Sequence, residues 1–108
     1  AGLADERLAK AINAIHTAPA EPWTLEQQAQ QSGMSRARFA THFHDVVGMT
    51  PGNYLTQWRL AVAQSLLRQG KPVQWVSDMV GYGSASALSR AFRSQVGMSP
   101  TQWLDHFS

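Results

Sequence analysis

Two pairs of arginines carry the clearest chemistry in this chain. Arg36 and Arg38 follow Ser35 within three residues, and Arg90 and Arg93 follow Ser84 within nine. In both places small residues stand beside them: Ala37 and Thr41 in the first segment, Ser86 in the second. A guanidinium is a planar fork of N–H donors that fits guanine O6 and N7 together, or a phosphate, and small residues beside it let a helix lie deep in a major groove. The residues available are those of a surface that reads duplex DNA.

Other chemistries find no constellation. The chain has no cysteine, which excludes disulfides, thiolate metal sites and cysteine nucleophiles. His42 and His44 are two residues apart on a helical segment and so on different faces, with no third ligand at a metal-site spacing. They read as surface or half-buried histidines, and neither a metal nor a cofactor is expected. Serine, histidine and aspartate occur without a nucleophile elbow or a glycine-rich phosphate loop, so no catalytic residue is assigned and the chain is not read as an enzyme. Trp23, Trp58, Trp75 and Trp103 are scattered over four segments, which points to packing between helices rather than a ligand cage.

The arginine segments belong to a longer duplication. Residues 35–51 are answered by residues 84–100 at an offset of 49, with Ser35/Ser84, Phe43/Phe92, Val47/Val96, Gly48/Gly97, Met49/Met98 and Pro51/Pro100 identical, and the match runs on to Leu55/Leu104. One supersecondary unit is used twice, and a protein that presents one small surface in duplicate suits a partner that is itself periodic. Duplex DNA is such a partner.

Composition fits one ordinary domain. With 108 residues and 44% hydrophobic content the chain can bury a core without staples, and its net charge of +2 is mild, so a basic surface must come from where the charges sit. No apolar run approaches the ~18 residues of a membrane span, and the opening Ala1-Gly-Leu-Ala-Asp5 has no signal-peptide pattern. A cytoplasmic protein with no membrane partner is expected, and the absence of an initiator methionine suggests a fragment or a processed product.

The elements that hold the arginines are helices joined by short turns, with no strand alternation. The first helix opens near Asp5, repeats Leu8, Ile12 and Ile15 on one face, and stops before Pro19. Thr24 and Gln27 form a capping-box pattern over a short helix that Gly33 closes. Ser35 caps a helix with the apolar stripe Phe39, Phe43, Val46 and Val47, ended by Gly48. Thr50 and Pro51 open the longest helix, through Tyr54, Leu55, Trp58, Val62 and Leu66 to Gln69, a rod of roughly 27 Å. Val73, Val76 and Val80 mark another short helix, the turn Gly81-Tyr-Gly-Ser84 follows, and Leu88, Phe92 and Val96 line the next. Ser99, Pro100 and Gln102 open a last helix with Trp103 and Leu104.

Short helix, glycine turn and second helix with a polar outer face is the helix-turn-helix pattern, present at 24–47 and 73–96. The second copy carries one extra turn residue, Gly83, because its first helix aligns at an offset of 48 and its second at 49. With Phe39 and Phe43 inward, Ala37, Arg38, Thr41 and His44 face outward; with Leu88 and Phe92 inward, Ser86, Arg90 and Arg93 do.

The run Gly81-Tyr-Gly-Ser-Ala-Ser-Ala-Leu-Ser-Arg-Ala-Phe-Arg93 followed by Gly97-Met-Ser-Pro100, with Trp58-Arg59 and Leu66-Leu67 upstream, resembles the DNA-binding domain of the AraC/XylS family of bacterial transcription regulators. The resemblance covers Asp5 to Phe107. It implies an all-α fold of seven helices, with a first helix-turn-helix subdomain at about 5–49, a linker helix at about 51–69 and a second subdomain at about 72–107, together one DNA-binding domain. Two recognition helices would enter successive major grooves of double-stranded DNA. The ~27 Å rod is shorter than the ~34 Å of one DNA turn, so fitting both helices implies bending of the duplex.

Carried over residue by residue, the family's base-reading positions fall on Ala37, Ala40 and Thr41 and on Ala85, Ser86, Ser89 and Arg90. Ser35, Arg36, Arg38, Ser84 and Arg93 complete the expected contact set, with Arg36 and Arg38 as phosphate ligands near a helix N-terminus. Many members place larger polar residues at the first set, which moves hydrogen-bonded readout to the second helix. The family also implies RNA polymerase as a partner and a separate effector-binding or dimerisation domain outside these residues. The competing class is a helical protein-interaction module contacting the transcription machinery, and it should expose leucine, methionine or aromatic anchors on those faces.

Overall fold

A computed structural model describes residues 6–107, with Phe107 described by its backbone alone. Ala1–Asp5, including the expected helix start at Asp5, lies outside the described residues, as does Ser108. The described residues form seven helices and no strand: α1 Glu6–Thr17, α2 Leu25–Ser32, α3 Arg36–Val47, α4 Pro51–Arg68, α5 Val73–Met79, α6 Ala85–Val96 and α7 Pro100–Phe107. The fold is all-α with two helix-turn-helix units and a long middle helix.

Local chemistry sets the helix ends. The Thr24 hydroxyl accepts from the Gln27 amide while the Gln27 side chain accepts from the Thr24 amide, both at 3.1 Å. Ser99 and Gln102 repeat this reciprocal cap at 3.2 and 3.1 Å, and Thr50 accepts from Asn53 N at 3.2 Å before α4. Each such cap satisfies backbone donors that a helix start leaves bare, for about 1 kcal/mol.

The turns show where the extra residue sits. After α2, Gly33 is left-handed (φ 68°) and Met34 N donates to Ala29 O at 3.0 Å. After α5, Gly81 does the same (φ 91°) and Tyr82 N donates to Ser77 O at 2.9 Å. Both turns close by the same six-to-one bond. The second then inserts Gly83, again at positive φ (76°), before Ser84 can cap α6. Two left-handed residues around one tyrosine are tolerable because both are glycine.

The chain divides into two compact units, one up to Leu55 and one from Thr56. In the first, Leu8, Ala11, Ala29, Phe39 and Phe43 are buried together, with Ile12, Met34, Val47 and Tyr54 packed on them. In the second, Leu60, Ala63, Leu67, Val76, Val80, Leu88, Phe92 and Trp103 form the core. The Phe43 and Phe92 rings, each fully buried, fasten the third helix of each unit to its neighbours.

The duplication is longer than the offset of 49 suggests. Arg7-Leu8-Ala9 and Ala11 recur as Arg59-Leu60-Ala61 and Ala63, an offset of 59 − 7 = 52. Leu8, Ala11 and Ile15 are buried in one copy, and Leu60, Ala63 and Leu67 in the other. From its second turn onward, α4 does for the second unit what α1 does for the first. The connector into the short helix is 52 − 48 = 4 residues shorter in the second copy, which hid the match.

Two expectations are corrected, at Val46 and Trp75. Along α4, Tyr54, Leu55, Trp58, Val62 and Leu66 share the buried surface with Leu60, Ala63 and Leu67, which lie deepest. The helix supplies two cores in succession, so no single stripe runs its length. Val46 is exposed, because Phe39, Phe43 and Val47 follow one i, i+4, i+8 line and Val46 falls to its solvent side. Trp75 does not pack between helices. Val73 and Val76 of α5 and Val80 just after it take the inward positions, which leaves the indole 42% exposed with Lys71 Nζ 5.3 Å from its ring centre.

Candidate nucleic-acid interface

α3 and α6 each start at a serine whose hydroxyl is already engaged. Ser35 Oγ accepts from Arg38 N at 3.3 Å, and Ser84 Oγ accepts from Ala87 N at 3.1 Å. The two serines therefore fix where α3 and α6 begin, and each keeps one hydroxyl proton to donate. No acidic residue stands in the first turn of either helix, so neither helix supplies a charge of its own against the positive end of its dipole.

Beyond the caps, burial of the two phenylalanines sets the phase. With Phe39 and Phe43 at zero exposure, Arg36, Ala37, Arg38 and Thr41 are exposed and Ala40 is half-buried. With Leu88 and Phe92 likewise buried, Ser86, Arg90 and Arg93 are exposed while Ala85 and Ser89 are half-buried. None of the expected contact positions on α3 and α6 is a large apolar residue; the exposed Val46 lies in the last turn of α3, away from them.

On α6 the structure gathers the expected set. Ala85, Ser86, Ser89, Arg90 and Arg93 line one shallow hollow of about 340 Å³. On α3 it divides the set. Ala37, Arg38 and Thr41 line an open groove of about 700 Å³ together with Arg7, Met34 and His42, while Ser35 and Arg36 border another hollow beside Glu26 and Gln30 of α2. Arg36 and Arg38 thus serve different flanks of the same helix.

The first groove also contains residues that sequence reasoning passed over. Arg7 belongs to α1, and Glu6 and Asp45 bring two carboxylates to the same rim. The recurrence of Arg7-Leu8-Ala9 at Arg59-Leu60-Ala61 was the available signal, because it places α1 in the repeated unit. In the second unit the corresponding Arg59 has its Cζ 5.7 Å from the centre of the Tyr82 ring. Burial lowers the Arg59 pKa; burial also raises that of Tyr82, against the opposing effects of the Arg59 charge and a hydrogen bond from Thr56.

Among the described residues no group of three or more histidines or carboxylates could hold a metal ion, and no helix is long and apolar enough to cross a membrane.

A family profile described as "Helix-turn-helix domain" matches residues 28–106, well over half of the chain. Over 107 residues the chain is 41% identical to an AraC-like transcription regulator of Streptomyces antibioticus, covering 98% of this chain and 35% of that protein. It is 43% identical over 97 residues to the HTH-type transcriptional regulator AlkR of Acinetobacter baylyi, covering 89% of this chain and 32% of that one. Among solved structures, the DNA-binding domain of the global transcriptional factor AdpA, crystallised with a target DNA, superposes with a TM-score of 0.87 at 29% identity, covering 94% of this chain and 92% of that one. The chain belongs to the AraC family and is a helix-turn-helix DNA-binding domain of that family. It spans about a third of the length of these full-length relatives.

Proposed function

We propose that this chain reads duplex DNA in a sequence-specific manner, with α3 and α6 as its two recognition helices, on behalf of a bacterial transcription regulator. The observation that carries the reading is the hollow on α6. Ser86, Arg90 and Arg93, expected from helical phase, lie together there with Ala85 and Ser89, expected from the family resemblance, on a helix face whose opposite side is fastened by fully buried Leu88 and Phe92. Arg90 is its bidentate donor to guanine, and Ser86 and Ser89 are short donors or acceptors that let the helix approach the base edges. Ser35, Arg36, Ala37, Arg38, Ala40 and Thr41 make the second reading surface, weighted towards phosphate contact and methyl packing.

One chain holds both heads, so a monomer binds two direct elements about one helical turn apart, in adjacent major grooves on one side of the duplex. The whole chain acts as one DNA-binding domain, with subdomains at about 5–49 and 72–107 and a linker helix at about 51–69. The regulator works in the cytoplasm, carries an effector-binding or dimerisation domain in its remaining length, and contacts RNA polymerase. The length of the relatives supports the second point. Exposed Trp75 and Met79, anchors of the kind protein partners use, support the third.

Selection of bound sequences from a random duplex pool, followed by footprinting on the recovered site, tests the reading. The expected result is an asymmetric motif with two protected segments about one turn apart. Failure to enrich any motif, or recovery of a palindrome bound only by dimers, would overturn it.

A further inference from the structure

The turn before α6 is held from outside the helix-turn-helix unit, and the turn before α3 is not held in the same way. Tyr82 lies between Gly81 and Gly83, both at positive φ (91° and 76°), so the backbone on each side is bent away from ordinary extended chain. Its amide donates to Ser77 O at 2.9 Å, and its half-buried ring packs on the core built from Leu60, Leu88 and Phe92. The Arg59 guanidinium of α4 covers the ring face at 5.7 Å, and Thr56, one turn earlier on α4, hydrogen-bonds to the phenol hydroxyl. The two contacts constrain different motions: turning the ring about its long axis breaks the face contact with Arg59, and sliding it breaks the hydroxyl contact with Thr56. In the first copy the corresponding position is Met34, which has neither an aromatic face nor a hydroxyl.

Only Gly83 and the cap Ser84 separate Tyr82 from the first residue of α6. We propose that the Arg59–Tyr82–Thr56 clamp positions the N-terminal turn of α6, making Tyr82 and Arg59 positioning residues for base readout by Ser86, Ser89 and Arg90. The proposal rests on the DNA-reading function given above and adds residues that touch no base. The extra residue Gly83 gives the second turn freedom that the first lacks, and the clamp takes it away. The second head therefore presents its side chains at one fixed depth and angle, as hydrogen-bonded readout requires and methyl packing does not.

The test compares Tyr82→Met, which installs the residue of the first copy, with Tyr82→Phe, Arg59→Met and Arg59→Lys in this same chain. Each is carried through sequence selection and through titration on the wild-type motif at several salt concentrations. Tyr82→Met and Arg59→Met should weaken binding to the selected site by roughly three- to tenfold, the scale of a partly buried cation–π contact. They should blur base preference in one segment of the motif only, and leave the salt slope unchanged. Tyr82→Phe and Arg59→Lys, which keep a cation over a ring, should restore most of the preference in that segment. An unchanged, equally sharp motif for Tyr82→Met would overturn the proposal. So would Arg59→Met weakening all sequences alike with a shallower salt slope, since Arg59 would then be a phosphate ligand. If Tyr82→Met populates the unfolded state by circular dichroism, the two Arg59 variants carry the same comparison. A wild-type chain that enriches no motif removes the DNA reading itself, whereas an intact wild-type motif with indifferent variants removes the clamp alone.

Discussion

Trp103 meets Phe92 edge to face, with ring centroids 5.7 Å apart and planes at 70°, and the pair is a near-copy of Tyr54 on Phe43, at 5.6 Å and 68°. The positions correspond at the offset of 49, so the ring lock on α3 and on α6 comes from the first turns of the helix that follows each. The outer ring is covered in both units by a residue at the end of the unit's first helix. His16 stacks on Tyr54 at 6.0 Å, with Nε2 2.7 Å from its hydroxyl, and Arg68 lies 5.1 Å above Trp103. The edge-to-face geometry suits the ring quadrupoles and adds about 0.5–1.5 kcal/mol beyond burial.

Removing the inner ring of a lock should therefore cost both packing and the ring pair. Phe92→Ala is expected to lower stability by about 3–5 kcal/mol. Denaturant titration without DNA is the measurement, and loss of amide protection should begin in α5 to α7. A midpoint equal to that of the unaltered chain would mean Phe92 does not carry the second core.

A stabilising change is equally specific. Gly52 is exposed in the first turn of α4, and a Cβ placed there meets nothing within 4 Å. Gly52→Ala should raise stability by about 0.5–1 kcal/mol, by limiting the unfolded chain and favouring the helix. Thermal unfolding should move up by a few degrees, and a lower melting temperature would count against the helical assignment at that position.

Much of this architecture was legible before any coordinates, and the reasons are local. Thr24 with Gln27, Ser99 with Gln102, and Gly33, Gly48 and Gly97 are short-range signals, and each acts within one turn of where it stands. The outward faces of α3 and α6 followed from the phase set by Phe39, Phe43, Leu88 and Phe92. What escaped notice depends on tertiary partners. Leu60, Ala63 and Leu67 are buried because α5, α6 and α7 cover them, and nothing within α4 says that its core partner changes after Leu55. Ser77 is fully buried because its hydroxyl donates to Val73 O at 2.8 Å, and Gln28 occupies the place where the second copy has Val76. Arg7 was missed because its role depends on α1 flanking α3, which spacing within α1 does not reveal.

Salt dependence separates phosphate contacts from base contacts. If Arg36, Arg38 and Arg93 each neutralise a phosphate, the logarithm of affinity should fall against the logarithm of salt with a slope of roughly −2.7 from these three alone. Fluorescence anisotropy across a salt series measures it. A slope near zero on both matched and random duplexes would contradict an electrostatic footprint on α3 and α6.

The two heads should contribute unequally to specificity. Thr41 stands where Arg90 stands in the other copy, and Ala37 where Ser86 stands, at the shared offset of 49. Alanine and the threonine methyl can meet a thymine methyl, but only Arg90 can take guanine O6 and N7 together. Arg38 lies on the groove-side flank of α3 near its N-terminus, with its own amide bonded to the Ser35 cap, a place suited to phosphate. Arg90→Ala should therefore cost about 1–3 kcal/mol on the preferred site, relax preference at one or two base pairs, and leave non-specific affinity nearly intact. Arg38→Ala should weaken matched and mismatched duplexes by the same factor and shallow the salt slope by about one unit. Titration of both variants on both kinds of duplex decides the matter. The reverse pattern, with Arg90 acting uniformly and Arg38 selectively, would place hydrogen-bonded readout on α3 and leave α6 as the anchoring helix.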